Sequence, residues 1–153
     1  MANTYSQIHM HAIFAVQNRH CLIANDWKDE LYKYITGIIQ NNDHKLLAIN
    51  GMADHLHIFF GMRPKQSLSE LMQMVKGDSS EWINKKGFYR HSFSWQEGFG
   101  AFSYSKSQAP NVIRYIQNQE EHHKKKTFRE EYIDFLNAFE IDFDERYIFK
   151  QVL

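Results

Sequence analysis

Ala53-Asp54-His55-Leu56-His57-Ile58-Phe59-Phe60 is the stretch whose reading decides the fold. It is short, apolar and rich in β-formers, so it reads as a buried strand. Side chains alternate faces along a strand, so His55 and His57 share one face while Leu56 and Ile58 take the other. If the Leu/Ile face packs on helices, two imidazoles stand side by side on the opposite face. That is half of a metal site. On spacing alone such a pair reads more readily as structural than as metal ligands. A second element gives it weight: Tyr115-Ile116-Gln117-Asn118-Gln119, where a tyrosine and an amide lie four residues apart on a predicted helix.

Working outward, Tyr5 to Val16 alternates and reads as strand one. Asn25 or Asp26 is placed to cap a helix from about Trp27 to Asn41, with Leu31, Tyr34, Ile35, Ile38 and Ile39 as its apolar stripe. Lys45 to Met52 and Asp54 to Met62 read as strands two and three, with Gly51 near the turn. Ser67 caps the next helix with Glu70 three residues on, and that helix ends near Gly87. Phe93 to Ser105 reads as strand four, bent or interrupted at Gly98 and Gly100. Pro110 suits the first turn of a helix running from Asn111 to about Lys124. A last helix covers roughly Phe128 to Phe139.

The first six elements read βαββαβ. This is an α+β, ferredoxin-like (split-βαβ) antiparallel sheet with helices on one face and added C-terminal helices. In that plan strand three is central, and the second sheet face is free for a ligand, a nucleic acid or another subunit. No repeat or linker divides the 153 residues, so one domain is expected. Residues 1–107 form the βαββαβ core, 108–139 the tyrosine helix and C-terminal helix, and 140–153 an acidic tail.

Composition narrows the class. With two prolines, seven glycines and 15% aromatic residues, the chain should pack a well-filled core. The single cysteine, Cys21, excludes an internal disulfide framework and fits a reducing compartment. No secretory leader is visible, and no apolar run approaches the roughly 20 residues needed to span a bilayer. A cytoplasmic protein is expected. The net charge of zero hides an asymmetry. Residues 130–145 hold seven acids and no Lys or Arg, whereas residues 109–129 net +3 and the remainder +4. A moderately basic body is compatible with phosphate contacts.

Tyr115 and Gln119 project from one face of their predicted helix, with Val112 and Ile116 nearby. Tyr115 then has two readings. It is an ordinary contact in an apolar stripe, or it is a nucleophile whose oxygen attacks a phosphodiester while the Gln oxygen completes a metal site begun by two histidines.

These elements resemble the small single-tyrosine HUH transposases of bacterial insertion sequences (the IS200-like family) and their relatives associated with repeated palindromes. HUH denotes His, a bulky apolar residue, His; here it is His55-Leu56-His57 within DHLHIFF. The tyrosine helix of the family resembles Val112 to His123. Ser67 to Trp82, with Val75-Lys76-Gly77, resembles the helix after the HUH strand. Trp95-Gln96-Glu97-Gly98-Phe99-Gly100-Ala101-Phe102-Ser103 resembles the strand before the tyrosine helix. The likeness runs from about Tyr5 to Glu131. It departs at the end of strand one, where a Thr-Lys-Tyr-Arg-like run is replaced by Val16-Gln17-Asn18-Arg19.

The resemblance implies a DNA transposase. His55, His57 and Gln119 would bind one divalent cation, Mg²⁺ or Mn²⁺, and Tyr115 would form a 5′-phosphotyrosine link on single-stranded DNA beside a hairpin. It implies a homodimer, with no membrane and no nucleotide cofactor. Arg19, Arg63, Lys76, Lys106 and Lys124 are candidate phosphate contacts, as are Lys65 and Lys85. His9 and His11 read as sheet-surface or core histidines, and His122 and His123 as helix caps or DNA-backbone contacts. Asp54, on the opposite face from His55 in a regular strand, is not counted as a ligand. Two other classes stay open: a module that binds single-stranded nucleic acid without cutting it, and a metal-dependent nuclease using water, with Tyr115 structural.

Overall fold

The computed structural model describes residues 3–150 and 152. Four strands, β1 (His9–Ala15), β2 (Lys45–Met52), β3 (His55–Gly61) and β4 (Gly100–Tyr104), form one antiparallel sheet in the order β2-β3-β1-β4. Helices α1 (Lys28–Asn41) and α2 (Leu68–Lys86) supply the two crossovers. This is the expected ferredoxin-like arrangement with β3 inside the sheet. Helices α3 (Ala109–Gln117), α4 (Gln119–His122) and α5 (Phe128–Ala138) follow.

Strand alternation builds the main core. Ala12 and Phe14 of β1 and Leu56, Ile58 and Phe60 of β3 are fully buried and share one cluster with Leu31, Ile35 and Ile39 of α1 and Leu71, Met72 and Val75 of α2. The ends of α2 follow local chemistry. Ser67 Oγ accepts from the Glu70 N–H at 3.1 Å, and Gly87 closes the helix in the left-handed region at φ 71°.

Three expectations need correction. Neither Asn25 nor Asp26 caps α1. Trp27 holds that position with no side-chain cap, and its indole stacks on Phe88 with ring centroids 4.5 Å apart. Packing, not capping, sets where α1 begins. Strand four is shorter than expected. Before Gly100 there is only an isolated bridge between Trp95 and Val16, and the backbone then bends through Gly98 at φ 83°.

The third correction concerns the second sheet face, which is not free. Helices α3 and α5 are amphipathic, and their apolar stripes have nowhere else to be buried. Val112 and Ile116 of α3 pack on Ala48 and Phe59. On α5, Phe135 stacks on Phe102 at 5.2 Å and Phe128 on His55 at 4.1 Å. The acidic segment after α5 also returns to the body. Gln96 exchanges two hydrogen bonds with the Lys150 backbone, Arg129 donates to the carbonyls of Glu145 and Phe149, and the Phe149 ring is buried.

Gly51 sits where the β2–β3 hairpin is tightest. A Cβ there would lie 2.1 Å from the His55 carbonyl oxygen, which is backbone and cannot step aside. Gly51→Ala should therefore destabilise the protein by about 1–3 kcal/mol. Urea unfolding should show a lower midpoint with an unchanged slope.

Candidate active site

The buried histidine face is built by register. Strand β1 pairs Ile13 with His57 and His11 with Phe59, and strand β2 pairs Asn50 with His57. His11, His55 and His57 are all fully buried between the sheet and the C-terminal helices. The ring nitrogens of His55 and His57 farther from the site are tied down. His55 Nδ1 donates to the Asp54 carboxylate at 2.8 Å, and His57 Nδ1 lies 2.7 Å from His11 Nε2. Such tethers fix ring orientation and present the Nε2 atoms to a common point.

Around that point gather Gln119, His123 and Glu131. Glu131 Oε1 lies 3.0 Å from His57 Nε2, 3.2 Å from His123 Nε2 and 3.4 Å from His55 Nε2. Gln119 Oε1 is 3.0 Å from both His55 Nε2 and His123 Nε2, while its amide nitrogen donates to Glu131 Oε2 at 3.2 Å. The Tyr115 hydroxyl donates to the same Oε2. His122 Nε2 stands 3.4 Å from Oε2 without hydrogen-bond geometry. The nucleophile candidate therefore shares one carboxylate with the histidine cluster of its own chain. Ligand atoms of His55, His57, His123 and Glu131 all lie within 4.8 Å of one another, as a divalent metal site requires.

The electrostatics reflect this crowding. Burial pushes His57 down to about 4, outweighing its hydrogen bond to Glu131. Burial acts the same way on His55, but hydrogen bonds to Asp54 and Glu131 outweigh it and raise the ring to about 9. Burial and the neighbouring His57 hold His11 well below its ordinary value. Burial would raise Glu131, yet hydrogen bonds from His123, His55 and His57 hold it well below the carboxylate range. Tyr115 is pushed well above an ordinary phenol by burial and by the Glu131 carboxylate that its hydroxyl faces.

The four residues expected to carry the chemistry, His55, His57, Tyr115 and Gln119, thus meet in one cluster. The helix carrying the last two is not continuous. It breaks at Asn118, where Asn50 Nδ2 donates to the carbonyls of Ile116 (3.0 Å) and Gln117 (3.2 Å). Tyr115 lies in the last turn of one helix and Gln119 starts the next, so their meeting depends on tertiary contacts as well as on four-residue spacing.

Sequence reasoning missed several members. Glu131 was counted only within the acidic run, although it falls on the apolar stripe of α5 with Phe128, Tyr132 and Phe135; an acid on such a stripe was the available signal. His123 turns its Nε2 into the cluster while Nδ1 donates to the Lys126 carbonyl at 2.8 Å. Asp54 precedes β3, so strand alternation does not govern it, and it orients His55. Among the basic candidates, Lys76 is not presented to a phosphate. Its ammonium donates to the carbonyls of Gln96 (2.7 Å) and Gly98 (2.6 Å) and ties down the bend before β4. Lys124 pairs with Glu121 at 2.8 Å, and Lys65 and Lys85 pair with Asp43 and Glu81. Arg19, Arg63 and Lys106 are exposed, Lys106 in the turn that leads into α3.

The family described as "Transposase IS200 like" matches residues 4–119. The chain belongs to this IS200-like transposase family. Among curated relatives, the ISDra2 transposase TnpA of Deinococcus radiodurans is 21% identical over 118 residues, covering 74% of this chain and 84% of the relative. The transposase for insertion sequence element IS200 of Salmonella typhimurium is 25% identical over 129 residues, covering 81% and 84%. Solved structures agree on the fold. A Deinococcus radiodurans structure assigned to a transposase superposes with a TM-score of 0.61 at 20% identity, covering 78% of this chain and 95% of that one. A REP-associated tyrosine transposase bound to a REP hairpin gives 0.60 at 13% identity, covering 80% and 73%. As an IS200-like transposase, the protein is an enzyme acting on DNA.

The Asn50 tie bears directly on Tyr115 in this transposase. Asn50→Ala should leave two carbonyls at the end of α3 without their partner and lower stability by about 1 kcal/mol. Hydrogen exchange should accelerate in α3 more than in α2.

Proposed function

We propose that this protein cuts and rejoins single-stranded DNA beside a hairpin, with Tyr115 as the nucleophile. The observation that carries the reading is the convergence of the Tyr115 hydroxyl on the buried cluster that holds His55, His57 and Gln119. The hairpin-bound structural neighbour supports a hairpin substrate.

The Tyr115 oxygen forms a bond to the scissile phosphorus, and the bond from phosphorus to the 3′ oxygen breaks. The products are a 5′-phosphotyrosine and a free 3′-hydroxyl, with the phenolic proton balanced by protonation of the leaving oxygen. Attack of a 3′-hydroxyl on such a link reverses the step and rejoins strands. The bond energy is conserved in the intermediate, so no nucleotide cofactor is needed. Mg²⁺ or Mn²⁺, held by His55, His57 and Gln119, would neutralise charge at the scissile phosphate. The donor set fits a divalent cation: two oriented imidazoles and an amide oxygen face one point.

Exposed Arg19, Arg63 and Lys106 are the basic side chains this reading assigns to DNA phosphates, with Lys124 available once its pair with Glu121 opens. A homodimer belongs to the reading by resemblance. The contact of Tyr115 with the cluster of its own chain supports a site assembled in cis. No helix among the described residues is long and apolar enough to cross a membrane, and the cytoplasm is the compartment assigned.

Single-stranded DNA carrying the hairpin end of the cognate element, incubated with protein and Mn²⁺ or Mg²⁺, tests the reading on a denaturing gel. A metal-dependent covalent protein–DNA band should form with the wild type and vanish in Tyr115→Phe. Tight binding without an adduct would indicate a binding module, and cleavage without an adduct a nuclease that uses water.

A further inference from the structure

We propose that the metal centre is larger than a histidine pair plus Gln119: His55, His57, His123 and Glu131 form one four-ligand site for a first-row transition-metal dication, with Gln119 as a neighbouring fifth donor. The inference rests on the metal-assisted reading above and assigns that centre its ligands and its ion class.

His55 Nδ1 faces the Asp54 carboxylate and His123 Nδ1 faces the Lys126 carbonyl. Both partners only accept, so both Nδ1 atoms carry the proton. That leaves Nε2 of each ring as the atom turned into the cluster. Each Nε2 faces oxygen, Gln119 Oε1 at 3.0 Å in both cases and Glu131 Oε1 at 3.4 Å and 3.2 Å. The Gln119 amide nitrogen is engaged with Glu131 Oε2, so turning the amide over would set its oxygen against a carboxylate. Three imidazole nitrogens, the Glu131 carboxylate and the Gln119 oxygen thus converge on one buried point, where a divalent cation would displace the Nε2 protons and take their place.

The spacing around Glu131 Oε1 suits a small ion. In a tetrahedral centre with bonds of about 2.0–2.1 Å, neighbouring ligand atoms stand about 3.4 Å apart. Glu131 Oε1 lies 3.0, 3.2 and 3.4 Å from the three imidazole nitrogens. Three imidazoles and one carboxylate suit Mn²⁺, Co²⁺ or Zn²⁺, whereas Mg²⁺ prefers oxygen donors and keeps its water. Nδ1 tethers to oxygen are the usual outer support of imidazole ligands.

Glu131 also joins this centre to the nucleophile. One carboxylate oxygen meets the imidazoles while the other accepts from Tyr115, and the residue is supplied by α5. Metal occupancy therefore fastens α5 and the Tyr115 hydroxyl to the sheet.

The test is metal binding to the full chain without DNA. Isothermal titration should give one Mn²⁺ per chain, bound at least tenfold more tightly than Mg²⁺, and Mn²⁺ should raise the melting temperature. Glu131→Gln and His123→Gln, each checked for fold by circular dichroism, should weaken Mn²⁺ at least tenfold and remove most of the thermal shift. If Glu131→Gln does not fold, His123→Gln decides, since that ring lies nearer the surface. Retained Mn²⁺ affinity in the folded variants, with loss in Gln119→Ala, would overturn the four-ligand centre and leave the proposed function standing. Equal affinity for Mg²⁺ and Mn²⁺ would overturn the ion class. A wild type that binds no Mn²⁺ yet forms the DNA adduct in chelator would overturn both metal assignments while keeping the tyrosine chemistry.

Discussion

Glu131 is a carboxylate buried under the sheet, and the geometry of the whole site depends on how that charge is satisfied. A lone ionised carboxylate in such a place would be prohibitively unfavourable. Here its two oxygens are met by His55, His57 and His123 on one side and by Tyr115 and Gln119 on the other. These partners come from β3, from α3, and from α4 and the turn beyond it, while Glu131 itself belongs to α5. The satisfaction of one charge thus fixes the relative placement of elements that are far apart in sequence.

The same constraint explains why the second sheet face is closed. An amphipathic pair of helices would cover it for hydrophobic reasons alone, through Val112, Ile116, Phe128 and Phe135. Apolar burial, however, tolerates sliding, and a shared carboxylate does not. The apolar contacts hold the helices down, and the Glu131 network sets their register. Asn50 adds a second fixed point, since its amide grips the end of α3 one residue before the break at Asn118. The outcome is a tyrosine held at a chosen place rather than merely packed.

Support around the histidines shows the same logic one layer out. Asp54 and His11 do not reach the centre of the cluster, but each holds the far nitrogen of one HUH imidazole. Lys76 serves the scaffold instead of the substrate by gathering the carbonyls of the bend ahead of β4. Basic residues therefore divide by geometry into those that build the fold and those left free on its surface. Their sequence spacing gives no sign of which is which.

What the sequence by itself determined is whatever depends on local periodicity. Strand alternation put His55 and His57 on one face, helical spacing gave the α1 and α2 core stripes, and Ser67 and Gly87 marked the ends of α2. The βαββαβ order and the group of His55, His57, Tyr115 and Gln119 were legible for that reason, aided by the family resemblance. Only the tertiary structure decided the rest. Glu131, His123, His11 and Asn50 enter through contacts between distant segments, and Trp27 starts α1 through its stack on Phe88. The break at Asn118 comes where a side chain from β2 reaches across to α3. Periodicity reports which face a residue occupies, and it holds no information about what a later segment will lay against that face.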